Sequence, residues 1–64
     1  MSEFPYKVGK TYIFAVSPIW FPAKVKILDL TAETVFFENK DTEQSRRVLR
    51  GYFLENFRLI EEIA

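Results

Sequence analysis

The side chains that could do covalent or acid–base chemistry in this chain are few and scattered. It has no His and no Cys, so the usual general base and the strongest nucleophile are missing. Ser17 and Ser45 have no evident activating partner. Asp41-Thr42-Glu43 falls in a polar turn and Glu61-Glu62 near the C-terminus, and both groups read as solvated acids. A calcium loop needs more oxygen ligands at fixed spacing and a tight Gly, which Asp41 and Glu43 do not provide. Without thiolate or imidazole there is no zinc site of the usual kind and no disulfide. The two glycines, Gly9 and Gly51, do not form a phosphate-cradling loop. The expectation is a protein that is not an enzyme and that uses no metal and no cofactor.

Binding chemistry is better represented. Ser17-Pro18-Ile19-Trp20-Phe21-Pro22 puts three large apolar residues between two prolines. Prolines four apart argue against a helix or a central strand and for a stiff loop or edge segment. Trp and Tyr are enriched at binding hot spots, and a stiff loop loses less freedom on docking. Ile19, Trp20, Phe21 and Tyr52 are therefore the expected partner-binding residues. The rival view of Trp20 is a core ring closing one end of the fold. A second candidate surface is basic and aromatic: Lys24, Lys26, Phe36, Arg46, Arg47 and Arg50. An exposed ring among cations can stack a base and hold phosphates. Glu38 on the same face, and Asp29 opposite Phe36, work against it. So does the overall balance of nine Lys and Arg against nine Asp and Glu, which gives no global pull on polyanions.

These residues need a scaffold, and the pattern is that of strands. Thr11-Tyr12-Ile13-Phe14-Ala15-Val16 is β-branched and aromatic, with Tyr12, Phe14 and Val16 on one face. Residues 23–31 alternate as Ala23, Val25 and Ile27 against Lys24 and Lys26. The phase then flips to Leu28 and Leu30 around Asp29, which predicts a bulge or bend near Ile27-Leu28. A tight loop at Ala32-Glu33 leads into Val35-Phe36-Phe37-Glu38-Asn39. This register sets Leu30 opposite Val35 and Leu28 opposite Phe37. A polar turn at residues 39–44 precedes a short strand at residues 45–50. Residues 51–56 read as one helical turn, with Phe53 in the core, and residues 57–61 as a last strand. The rival for the last third is a three-stranded antiparallel sheet plus one helix over residues 45–63. Gly51, costly within a helix, argues against it.

A bent second strand, and one helical turn before the last strand, resemble the SH3-like (Src-homology-3-like) small β-barrels. The resemblance is one of topology over nearly the whole chain. It implies a mainly β, five-stranded barrel occupying residues 1–64 as a single domain. The acidic loop and tyrosine signature of the proline-peptide binders are absent from this sequence. The compact style is similar to small barrels of bacteria and their phages, which implies an inhibitor or adaptor of bacterial or phage type. The expected function is a protein-binding module acting through the aromatic loop. The alternative is a nucleic-acid-binding barrel using the basic face. Self-association is a further expectation, because near-zero net charge weakens repulsion between copies. No apolar run approaches the ~20 residues of a membrane span. The start, Met1-Ser2-Glu3-Phe4-Pro5, lacks the pattern of a secretory leader. With no Cys, a cytoplasmic location is expected.

Overall fold

A computed structural model describes residues 4–63. Residues 1–3 and 64, and with them most of the stretch read above for a leader, lie outside the described residues. The fold is mainly β: β1 (Thr11–Val16), β2 (Phe21–Leu30), β3 (Thr34–Asn39), β4 (Gln44–Leu49), α1 (Arg50–Asn56) and β5 (Phe57–Ile63). All strand pairs are antiparallel, in the order β4-β3-β2-β1-β5. No described helix is long and apolar enough to cross a membrane.

The flip of phase in β2 is resolved by a bulge. Ile27 faces Phe37 and Asp29 faces Phe36, so Leu28 is the extra residue. Leu30 lies opposite Val35 as expected, whereas the residue opposite Phe37 is Ile27 and not Leu28. The bulge lets Ala23, Val25 and Ile27 stay buried while Leu28 and Leu30 still reach partly buried positions. The connection is tied by Thr31, whose Oγ1 accepts the Thr34 N–H at 3.0 Å. The Thr31 N–H donates to the Thr34 carbonyl at 3.0 Å, leaving Ala32-Glu33 as the loop.

β2 begins at Phe21, two residues before the boundary read from the sequence. Pro22 is tolerated because β3 pairs with β2 from Val25 onward only. Phe21 and Pro22 pair on one side, with Val16 and Ala15 of β1. A missing N–H costs nothing on the side that has no ladder.

The last third is strand, helix, strand, and the single helix over residues 45–63 is excluded. β4 covers the free edge of β3, with Val48 opposite Val35 and Arg46 opposite Phe37. One long helix would have left that edge unpaired. The seven-residue α1 has no side-chain N-cap, and a lone helix so short is marginal in water. It is held by Phe53, which is fully buried. The Phe53 ring stacks on Phe57 at 4.2 Å and meets Phe14 and Phe37 at 5.2 and 5.4 Å. Tyr6 and Phe4 close the same aromatic cluster at 5.9 and 5.6 Å. Each fully buried ring of this kind is worth about 1.5–3 kcal/mol.

The sheet is not closed into a barrel. β4 and β5 are its two edges, and α1 packs between them and against β3. The helix takes up space at the seam, where a closing ladder would run.

Candidate functional site

The loop between β1 and β2 is anchored at its start. Both the Ser17 N–H and its hydroxyl donate to Asn56, the former to the carbonyl at 2.9 Å and the latter to Oδ1. Asn56 in turn donates from Nδ2 to the Tyr52 carbonyl at 2.9 Å. One Asn thus ties the end of α1 to the entrance of the loop. At its far end Trp20 sits at φ 56°, a left-handed conformation that L-residues rarely adopt outside turns.

Trp20 is not part of the hydrophobic core. Its indole lies under the Arg58 guanidinium, 4.4 Å from the ring centroid, and it remains 37 % exposed. The register of β5 places Arg58 opposite Ala15, which itself lies opposite Pro22. Ile19 is 76 % exposed and Phe21 45 %. Tyr52 is exposed on α1, one helical turn before the Asn56 staple.

The expected basic–aromatic face comes together only in part. Lys24, Lys26, Phe36 and Arg47 do share the outer face of the sheet. Arg47 lies over Phe36 at 5.1 Å, donates to Thr34 Oγ1 at 3.1 Å and approaches Asp29 at 3.9 Å. Its guanidinium is therefore engaged within the chain. Lys26 faces Glu38, and Glu38 also takes Lys40 at 3.3 Å. Arg46 does not belong to this face. It is opposite the buried Phe37, so it projects on the inner side. Arg50 is elsewhere again, over the Phe4 ring at 5.4 Å, with its backbone N–H on the Glu33 carbonyl at 2.9 Å.

Sequence reasoning missed two groupings. Lys24 lines a cleft of about 450 Å³ together with Lys10 and Lys40; Lys24 comes from β2, Lys10 from the residue before β1 and Lys40 from the turn after β3. The second is a pocket of about 230 Å³ walled by Val16, Phe21, Phe37 and Phe57, with Arg46, Gln44, Asn39 and Thr42 at its polar side. Its origin is the length mismatch within the sheet. β2 outruns β3 at Phe21, and β4 does not pair with β5. Val48 is the clue to Arg46: they are two residues apart, so they share a face, and Val48 packs on the core.

Among the described residues no group of three or more acidic side chains could hold a metal ion. No family model matches this chain, and no curated protein or solved structure matches it.

Proposed function

We propose that this protein is a small non-catalytic binding module that docks on a larger protein through Ile19, Trp20 and Phe21. The observation that supports it most is the exposure of Ile19 on a loop whose two ends are fixed, and of Phe21 where that loop enters β2. Exposed large side chains cost a small domain solubility, and a loop that served only to connect strands would be polar. The Ser17–Asn56 staple and the Arg58–Trp20 stack hold the two ends of the loop in place before any partner arrives. Such pre-organisation reduces the ordering cost of docking. The bent β2 and the helical turn before β5 support an SH3-like reading of the scaffold, with the barrel left open at the β4–β5 seam. An adaptor or inhibitor of bacterial or phage type, working in a reducing cytoplasm, fits a chain with no Cys.

The test is capture from native host lysate on the immobilised chain, with and without nuclease, comparing Ile19→Asp with the parent. Ile19 is the most exposed of the three, so the variant keeps its fold. A protein retained by the parent, indifferent to nuclease and lost with Ile19→Asp, is the expected result. Equal retention by both chains would refute the reading.

A second reading has its own observation, the convergence of Lys10, Lys24 and Lys40 on one cleft. It makes the chain a nucleic-acid-binding module. Retention on single-stranded nucleic acid that falls steeply with salt would favour it, and no retention at low salt would remove it.

A further inference from the structure

We infer that the pocket at the end of the β4–β5 seam, which no residue of α1 lines, is a receptor for an extended segment of a partner protein that carries an apolar side chain next to a carboxylate. This rests on the protein-binding reading above and names the chemistry of the partner. Phe21, the first residue of β2, directly follows the exposed loop and walls the seam pocket, so the two surfaces are continuous.

The pocket has the size and polarity for such a segment. A cavity of about 150 Å³ accommodates a benzene ring. The seam pocket measures about 230 Å³ and has Phe21, Phe37, Phe57 and Val16 for apolar walls. One Leu or Phe side chain fits it. Arg46 is the one charged residue lining it. It enters neither of the ion pairs among the described residues. Its guanidinium presents a planar fork of donors that matches a carboxylate. The neighbouring Asn39 is already committed, its Oδ1 accepting the Asp41 N–H at 2.9 Å. β4, which lends Gln44 and Arg46 to the pocket, is an edge strand with one unpaired side. An extended chain laid along such an edge gains main-chain hydrogen bonds. The charge excludes a basic segment and favours an acidic–apolar one.

The experiment titrates the ¹⁵N-labelled full chain with an end-blocked peptide in which one Leu stands between two Glu residues. Saturable shifts at the backbone amides of Phe21, Arg46 and Phe57 are expected. Replacing the Leu by Ala, or both Glu by Lys, should abolish them. Arg46→Glu should weaken the peptide by about tenfold or more, because like charges then face each other, while Arg46→Ala gives a smaller loss in the same direction. Arg46 is exposed, so both variants keep the fold. The inference is overturned if the Lys peptide shifts the same amides equally, if Arg46→Glu binds like the parent, or if the shifts depend on protein concentration without peptide. The last outcome would put a second copy in the seam. The loop reading fails separately. A captured partner that is lost with Ile19→Asp but kept with Arg46→Glu sinks the seam assignment and leaves the loop standing. Peptide binding in the seam with a partner indifferent to Ile19→Asp does the reverse.

Discussion

Phe53→Ala is the substitution that most directly tests how this chain holds together. Natural domains are stable by about 0.05–0.15 kcal/mol per residue, so 64 residues give about 3–10 kcal/mol in all. Phe53 is fully buried and contacts five other aromatic rings. Truncating such a Phe costs about 3–5 kcal/mol. The lower half of the stability range is thereby used up, and Phe53→Ala should be largely unfolded at 25 °C or melt far below the parent. Phe53→Leu keeps most of the volume and loses the ring–ring geometry, for a cost of about 1–3 kcal/mol. Tyr52→Ala, one residue away and 49 % exposed, should cost about 0.5 kcal/mol or less. Urea unfolding followed by far-ultraviolet circular dichroism and by Trp20 emission ranks the three. If Phe53→Ala unfolds at the same urea concentration as Tyr52→Ala, α1 is not the element that fills the core, and the account of the open sheet is wrong.

Thr31→Ala removes the hydroxyl that accepts from the Thr34 N–H, and should lower stability by about 1 kcal/mol in the same assay. Glu43 sits at φ 60° in the β3–β4 turn, so Glu43→Gly should raise stability by about 0.5–1 kcal/mol; a loss would show that the turn does not need a left-handed residue. Burial, and then the neighbouring Tyr12, push the Tyr6 phenol above its ordinary pKa. The folded chain then holds that proton more tightly than the unfolded one. Stability is fully present below about pH 10 and falls as pH rises through the folded-state value. Tyr6→Phe should flatten the alkaline limb of the stability–pH curve, and an unchanged limb would assign it to other groups.

The β2–β3 hairpin is legible in the sequence because two independent patterns agree. Alternation fixes the face of Val25 and Ile27, and the phase flip at Leu28 has one economical cause, a bulge. β1 is legible for the same reason, as its core face is Tyr12 and Phe14. The start of β2 is not, because Pro22 argues locally against a strand. Only the length of β3, a non-local fact, shows that its missing N–H is harmless. The openness of the sheet is also invisible locally, since it depends on whether β4 reaches β5 across α1. Within the site, the exposure of Ile19 and Phe21 is readable from their place between prolines. The cation on Trp20 is not, because Arg58 lies 38 positions further along and meets the indole only through the β1–β5 register. Grouping Arg46 with Arg47 by sequence proximity puts both on one face, whereas strand alternation separates them.

The open edges explain why apolar exposure at one end of the molecule calls for a function. An unpaired strand invites pairing with other chains, and edges are commonly blunted by charge and bulges. β5 has a bulge, since Ile13 faces Glu61 and Phe14 faces Leu59, which leaves Ile60 extra. It also presents Arg58, Glu61 and Glu62. β4 carries Arg46 and Arg47. Both edges are thus guarded by charge along much of their length. The guard is relaxed at the pocket that Phe21 and Phe57 wall from either side of Val16, and there the proposed role of the lone charge, Arg46, is to select a partner by sign instead of repelling every chain. Had that end served only to connect strands, a polar residue at 19 would have connected β1 to β2 equally well.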